Sequence, residues 1–301
     1  MVGMTDRTVH DEIDTEPFVP FDIPSIAAKY NPKLAKRIPK FLYRKLEKIL
    51  CIKQLNDGLI PGCKGDGQFY LDYIVNYIGF KMEFQGPGVS ELEKLKGQSV
   101  MFVSNHPFGG PEGLGLFRWI YPKFPEARLL TQSMLGAIPT MKKFSVFNGR
   151  DVSTLNKAVE ENRSLLFFPA GYCSRYLSFG DVFDYEWKPS FVKIAKRNRQ
   201  PIVVFFIEGH VSKRTLNWTR IRKFFHIKTS FETIYLVDEM FKMKGQTLKV
   251  IVSKPIMPET FDDENINKHD WAQRLRQYCY ELKTNPDAEF DPSKPATLPL
   301  T

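Results

Sequence analysis

Short apolar runs that stop at polar residues recur along the chain. Three of them lie at 99–104 (SVMFVS), 164–168 (SLLFF) and 201–207 (PIVVFFI), and a later predicted strand lies at 247–253 (TLKVIVS). Continuous apolar runs of this length are typical of strands that are buried on both faces. We therefore predict a central sheet that contains these four segments.

Helical periodicity fills the segments around the predicted strands. It is present at 153–162, where Ser153 can cap the helix, at 190–198 and at 270–282. The stretch 68–83 has helical spacing at first and then becomes strand-like. This alternation predicts an α/β fold with a mixed, mostly parallel central sheet flanked by helices.

A strongly basic stretch precedes this main domain. Between residues 29 and 53, nine Lys and Arg side chains oppose Glu47 alone, a local excess of eight positive charges. Apolar residues recur there at spacings of three to four, which predicts a basic amphipathic helical segment broken near Pro32 and Pro39. Such a segment suits an anionic membrane surface. Alternatively, its apolar stripe packs on the main domain while the lysines are solvated, and the sequence favours neither interpretation.

These patterns divide the chain into four parts. They are an acidic N-terminal segment (1–23), the basic amphipathic membrane-association segment (24–66), the main domain (67–284) and a Pro-rich tail (285–301).

Composition limits the class of protein. Hydrophobic residues make up 43% of the 301 residues, enough for a sizeable core, and the net charge of +9 favours an anionic partner. The four cysteines are far apart, which is typical of reduced thiols in the cytoplasm. The start is acidic, unlike a signal peptide, and the longest apolar runs reach about seven residues where a membrane span needs roughly 20. We expect a cytoplasmic protein that lies peripherally on the inner face of the cell membrane.

Candidate chemistry stands directly after the first predicted strand. There Asn105-His106 is followed, across a glycine-rich turn, by Glu112. A carboxylate so placed can hold the imidazole in one tautomer, so that the ring acts as a general base. The logic is that of a hydrolase triad in which the acceptor substrate replaces the serine. A loop histidine with local hydrogen bonds is the alternative that this stretch alone allows.

A second motif, FFPAGYCSR (167–175), follows the second predicted strand. With NHPFGGPEG (105–113) it resembles the glycerolipid acyltransferase superfamily, which includes lysophosphatidic acid acyltransferases. The first motif of that superfamily is Asn-His, four residues and Asp, and its third is Phe-Pro-Glu-Gly-Thr-Arg-Ser. NGR (148–150) stands where the superfamily carries an acceptor-binding arginine, and PIVV (201–204) resembles its fourth motif. Four motifs in the expected order are a specific signal, which implies that 67–284 is an acyltransferase domain.

The chain resembles, more narrowly, the hemolysin-like branch of these enzymes in Bacteroidetes-type bacteria. This resemblance rests on FPAGYCSR, on Glu186-Trp187-Lys188 and on the stretch 207–256. Some members of that branch acylate the hydroxyl of N-acylated glycine or of other amino-acid lipids.

Two residues depart from the superfamily pattern. Pro111 takes the place of the usual Asp, so the role of orienting His106 passes to Glu112, where the resembled branch carries its acid. Ala170 replaces the glutamate of the third motif. The absence of this glutamate favours a lyso-aminolipid of the glycine or ornithine type over lysophosphatidic acid as the expected acceptor. Because both positions are altered, a catalytically inactive lipid-binding relative at the membrane surface is the alternative function.

The resemblance implies an O-acyltransferase mechanism. His106 takes the proton of a lyso-lipid hydroxyl, which attacks a fatty-acyl thioester of acyl carrier protein or coenzyme A. The thioester enters as a co-substrate, and we expect no cofactor. Backbone amides near Gly109, Gly110 or Gly171 are candidates for stabilising the oxyanion. Cys173 lacks an activating partner, so we expect a packed thiol there and not a nucleophile.

Further residues are assigned to substrate binding. They are Asn105, Arg150, Pro169, Gly171, Ser174 and Arg175. The two arginines suit a phosphate or carboxylate because a guanidinium group can bind two oxygens at once. Ordinary ion pairs are their alternative role.

A second basic cluster lies between residues 212 and 228, where no acid is present. It consists of Lys213, Arg214, Arg220, Arg222, Lys223 and Lys228. With interleaved aromatic residues it suits an acidic acyl carrier protein or lipid headgroups, and a solvated face is the alternative. No nucleic-acid module is recognisable, so nucleic acid is not an expected partner. The five histidines are dispersed, so we expect no metal site.

Overall fold

The structure, a computed structural model, describes residues 16–149, 151–176, 181–224 and 235–299. Helices in these ranges are α1 Ile23–Tyr30, α2 Pro32–Ala35, α3 Lys40–Ile49, α4 Ile52–Gly62, α5 Gly67–Ile78, α6 Gly88–Glu91, α7 Pro111–Ile120, α8 Pro139–Lys142, α9 Ser153–Glu160, α10 Ser190–Asn198, α11 Lys213–Phe224, α12 Leu236–Phe241 and α13 Lys268–Glu281. The strands are β1 Lys81–Gln85, β2 Met101–Ser104, β3 Arg128–Gln132, β4 Ser145–Asn148, β5 Leu165–Phe167, β6 Arg175–Tyr176, β7 Val182–Phe183, β8 Ile202–Ile207 and β9 Thr247–Val252.

Seven of these strands form one sheet in the order β1-β9-β8-β2-β5-β3-β4. All neighbours in it pair in parallel except β8 and β9, which are antiparallel. The four strands predicted from the sequence are β2, β5, β8 and β9. The predicted fold class, a mixed and mostly parallel sheet flanked by helices, is therefore confirmed. β6 and β7 form a separate antiparallel pair.

The sheet has a hydrophobic core on each face. Alternate residues of β2 point to opposite cores: Phe102 packs with α5 and α7, whereas Met101 and Val103 pack with α10 and α13. β5 and β8 alternate in the same way. Since both faces of these strands are covered, each strand reads as a continuous apolar run instead of an alternating one.

Helices α1 to α4 come before the sheet in the chain, and α4 packs on α5 while α3 packs on α4 and on α1. Asn56 on α4 exchanges two hydrogen bonds of 2.8 Å with the main chain of Phe21. A Cβ at Gly58 would lie 2.6 Å from the ring of Tyr77, so only glycine permits this approach of α4 to α5.

The basic segment forms helices that break where the prolines predict. α2 begins at Pro32, and Pro39 is the N-cap of α3. On α3, Tyr43 is buried, whereas Phe41 and Leu42 are exposed. One side of this helix therefore packs on the protein while apolar side chains remain open on another side. Among the helices of the described ranges, none has the length and apolar character needed to cross a bilayer.

Candidate active site

The carboxyl ends of β2, β5 and β8 meet at one edge of the sheet, because the three strands are parallel neighbours. His106 follows β2 by two residues, and the loop 168–174 follows β5. Such strand ends are where ligands bind in open α/β sheets. The two motifs of the sequence are thus neighbours in space: the amide of Ser174 donates to the carbonyl of His106 at 2.8 Å.

Asn105 joins the ends of β2 and β8. Its Nδ2 donates to the carbonyl of Ile207 at 2.9 Å, and its Oδ1 accepts from the amide of Ile207 at 2.7 Å. The side chain is buried. Although we predicted that Asn105 binds substrate, its amide group is used in fixing the strand that carries His106.

His106 and Glu112 face each other across the turn. Nδ1 of His106 lies 3.0 Å from Oε1 of Glu112. The approach departs from the direction of a ring N–H, so the two groups are in close contact without an aligned hydrogen bond. The ring also packs on Phe168, with ring centroids 4.3 Å apart. Nδ1 is buried while 15% of the side chain remains exposed, so the open side of the imidazole faces away from Glu112.

Glu112 is fully buried in the first turn of α7. Burial tends to raise the pKa of its carboxyl, but the nearby imidazole of His106 and the amides of Gly110 and Phe108 bring the pKa below its usual value. A carboxylate that stays ionised here can stabilise an imidazolium beside it.

Three main-chain amides converge on the Glu112 carboxylate. Phe108 and Gly109 donate to Oε1 at 2.8 and 2.9 Å, and Gly110 donates to Oε2 at 2.9 Å. Gly109 has φ +85°, a conformation that favours glycine. The amides of Gly109 and Gly110, which we predicted to be oxyanion donors, therefore hold the orienting acid in this arrangement. The cause is the geometry of the turn, because its amides point toward the first turn of α7, where Glu112 lies.

Residues 25–289 match the model of a family described as acyltransferase. The chain belongs to the acyltransferase family. It is 28% identical over 272 residues to a lyso-glycine lipid O-acyltransferase of Bacteroides thetaiotaomicron, covering 87% of this chain and 97% of that protein. It is 30% identical over 272 residues to the protein of the same name from Phocaeicola vulgatus, covering 87% and 94%. The 1-acyl-sn-glycerophosphate (LPA) acyltransferase of Thermotoga maritima is a similar solved structure, with a TM-score of 0.43 and 16% identity over 87% of this chain and 93% of that one.

Membership of the acyltransferase family confirms the resemblance that the four motifs carry. The third-motif loop of this acyltransferase is held by main-chain hydrogen bonds. The amide of Gly171, at φ +70°, donates to the carbonyl of Phe168 at 3.0 Å, and the carbonyl of Pro169 accepts from the main-chain amide of Lys188 at 3.1 Å. The Gly171 amide, a further oxyanion candidate, is thus engaged within its own turn.

Ser174 and Arg175 of the acyltransferase are both buried. Nη1 of Arg175 donates to the carbonyls of Cys173 and Ser174 at 3.0 and 3.1 Å and also contacts Sγ of Cys173. This guanidinium nitrogen therefore already has hydrogen-bond acceptors in the main chain of the loop. Arg150, the other predicted acceptor-binding arginine, lies outside the described residues.

The second basic cluster forms part of α11 in this acyltransferase. Arg214 pairs with Asp238 at 2.6 Å and lies over the ring of Tyr235, and Arg220 lies over the ring of Tyr176. Lys228 falls outside the described residues.

Within the part of the chain that the structure describes, no three His, Cys, Asp or Glu side chains gather as metal ligands would.

Asp184 is a carboxylate at this site that the sequence did not reveal. It is fully buried, and it accepts hydrogen bonds from the amide of His106, the hydroxyl of Ser174 and the indole of Trp187. No local pattern marks it, since it lies 78 residues from His106 in the chain. A buried carboxylate with three donors from separate segments is visible only once the fold is known.

Proposed function

We propose that this acyltransferase moves a fatty-acyl group from a thioester to the hydroxyl of a lyso-lipid. The observation that carries the proposal is the pair formed by His106 and Glu112 at the edge where β2 and β5 end, with Nδ1 and Oε1 3.0 Å apart. Nδ1 faces the acid and the other side of the ring is open, which is the geometry that a general base needs.

The proposed reaction needs no covalent acyl-enzyme. The open nitrogen of His106 takes the proton of the acceptor hydroxyl as its oxygen attacks the thioester carbonyl. Glu112 stabilises the imidazolium so formed. The tetrahedral intermediate then collapses, the carbon–sulfur bond breaks, and the imidazolium returns the proton to the thiolate that leaves. This sequence is a triad mechanism with the acceptor in the place of the serine.

A lyso-aminolipid of the glycine or ornithine type is the proposed acceptor, ahead of lysophosphatidic acid. Two relatives that align over most of this chain are named lyso-glycine lipid O-acyltransferases. Ala170 supports the same choice, because it replaces the third-motif glutamate and is buried in the core that contains Phe167 and Trp187. The proposed donor is acyl carrier protein or coenzyme A.

A matrix of donors and acceptors tests this function. Purified protein is incubated with acyl carrier protein or coenzyme A thioesters and with lyso-glycine lipid, lyso-ornithine lipid or lysophosphatidic acid, and products are measured by mass spectrometry. We expect diacylated aminolipid to form fastest. Faster acylation of lysophosphatidic acid would contradict the acceptor assignment. Vesicle binding without product in any pairing would instead indicate the catalytically inactive lipid-binding relative.

We also propose that the protein works on an anionic membrane surface, at the inner face of the cell membrane. Phe41 on α3 is 69% exposed among lysines, a combination that suits insertion between acidic headgroups. In flotation with phosphatidylglycerol vesicles, Phe41→Glu should reduce binding. Met257→Glu is the matched control, because Met257 is 47% exposed but lies far along the chain after β9. Equal losses in both variants would contradict a role for α3.

A further inference from the structure

Asp184 joins two loops of the site through one carboxylate. Its Oδ1 accepts from the amide of His106 at 3.1 Å and from Oγ of Ser174 at 2.7 Å. Its Oδ2 accepts from Nε1 of Trp187 at 2.8 Å. The amide of His106 and the indole of Trp187 can only donate, one to each oxygen, and the hydroxyl of Ser174 can donate as well, which fits an ionised carboxylate.

The main chain of Asp184 is fixed from the opposite side by α13. Its amide donates to the hydroxyl of Tyr280 at 2.7 Å, and its carbonyl accepts from Nε and Nη2 of Arg276 at 3.2 and 2.7 Å. Arg276 is fully buried, so a positive charge lies close to the buried carboxylate. α13 in turn packs in the core against the sheet, where Cys279 contacts the carbonyl of Phe205. The main chain of Asp184 is thus held by a helix that is itself packed in the core.

The main chain of His106 has both of its polar groups committed to this arrangement. Its amide donates to Asp184, and its carbonyl accepts from Ser174, which is itself bonded to Asp184. The position of the imidazole therefore depends on the bonds of its own main chain as well as on its contact with Glu112.

We propose that Asp184 is a positioning residue of the acyl-transfer reaction. It sets the main-chain position of His106 and keeps the first-motif and third-motif loops in register. The inference rests on the proposed function, since it assigns a role in that reaction. A misplacement of about 1 Å at a reacting group can cost on the order of 10²-fold in rate, which is the scale expected when this carboxylate is lost.

Asp184→Asn tests the inference because it keeps the shape and removes the charge. Its NH₂ group must face one of the three donors, so at least one bond is lost. We expect kcat per folded molecule to fall on the order of 10²-fold with KM changed by only a few-fold. Asp181→Asn is the matched control, an exposed acid three residues earlier, and should leave kcat unchanged.

Selective ¹⁵N-histidine labelling provides a readout that loss of stability alone would not move. The chain has five histidines, so the amide signal of His106 can be assigned by substituting that residue. An amide bonded to a carboxylate gives a downfield proton signal, which Asp184→Asn should move upfield. If Asp184→Asn does not fold, Ser174→Ala takes its place in the experiment. This variant removes the hydroxyl donor and leaves the amide of His106 as the other donor to Oδ1, so the same signal must shift.

An unmoved His106 signal, or wild-type kcat in Asp184→Asn, would overturn the positioning role. Failure of the positioning role is distinguishable from failure of the proposed function. Were the wild type itself to give no product with any donor and acceptor, the acyl-transfer proposal would fail, and the amide signal alone would then decide whether Asp184 positions His106.

Discussion

Oε1 of Glu112 lies 3.0 Å from Nδ1 of His106, and the same carboxylate is held by three amides of the turn that separates the two residues. Hydrogen bonds of the turn thus fix the position of the carboxylate, apart from its contact with the imidazole. An acid that is one residue later than in the related motif, with a longer side chain, reaches its histidine because the turn folds back onto the start of α7.

Glu112→Gln should lower both stability and turnover. Gln has one acceptor oxygen and no charge, so it cannot satisfy three amides and the ring of His106 together. Breaking a buried pair of this kind costs about 3–5 kcal/mol in the free energy of unfolding. Urea denaturation measures that loss, and kcat should fall with it. Unchanged unfolding would show that the amides do not depend on the charge.

The same variant should alter the pH dependence of stability. The folded pKa of Glu112 lies below its usual value, so its contribution is present above the unfolded pKa of about 4.3 and is lost as the pH falls through the folded pKa. Burial raises the pKa of Asp184, which acts in the opposite direction but is common to both proteins. The difference between wild type and Glu112→Gln, measured by denaturation below about pH 5, should therefore shrink on acidification. A constant difference would contradict it.

Gly109→Ala should cost more than a strained φ alone. A Cβ there would lie 3.1 Å from Cβ of Cys173 and 3.2 Å from Cδ1 of Leu236. Gly97 has a similar φ of +82° with open space around it, so Gly97→Ala measures the backbone cost by itself. We expect Gly109→Ala to be less stable than Gly97→Ala by roughly 1–3 kcal/mol and to lose turnover. Equal destabilisation would mean that the turn relaxes without cost.

Ala170→Glu would restore the residue type of the related motif at a buried position. Ala170 packs with Phe167 and Trp187, so a carboxylate there loses its hydration. We expect a loss of roughly 2–4 kcal/mol in the free energy of unfolding. Tyr172→Glu is the control in the same loop, because Tyr172 is 53% exposed. Similar unfolding of the two variants would show that the loop opens to hydrate the acid.

Cys173→Ala should leave acyl transfer within about threefold of wild type, since a nucleophile requires a thiolate. Burial raises the pKa of the Cys173 thiol to about 11, which outweighs the neighbouring Arg175. Steady-state turnover with the preferred thioester measures the effect. A loss of more than a hundredfold would instead indicate a covalent acyl-enzyme.

The sequence was most informative where strands are covered on both faces. β2, β5 and β8 are continuous apolar runs, and all three were predicted within two residues of their ends. β3 and β4 were missed. β3 is RLLTQ, a strand with polar ends, and β4 is one of the two edge strands of the sheet, so neither shows an unbroken apolar run.

The site divides in a similar way. His106 and Glu112 belong to one motif, so local spacing predicted their contact. The roles of Asn105, Ser174 and Asp184 depend on contacts with distant segments, such as the bonds of Asn105 to Ile207, 102 residues away. Spacing in a motif indicates which residue types gather, whereas the fold decides which of their atoms remain available to a substrate.

Turnover of His106→Ala tests the central claim most directly. His269→Ala is the matched control, because Nδ1 of His269 also lies near a glutamate, 3.3 Å from Oε1 of Glu186, but at the start of α13 and outside the two motif loops. With acyl thioester and lyso-glycine lipid, His106→Ala should lose about 10²–10⁴-fold in kcat while its thermal unfolding stays close to that of the wild type, and His269→Ala should keep its activity. Turnover of His106→Ala within tenfold of the wild type would contradict general-base catalysis by His106.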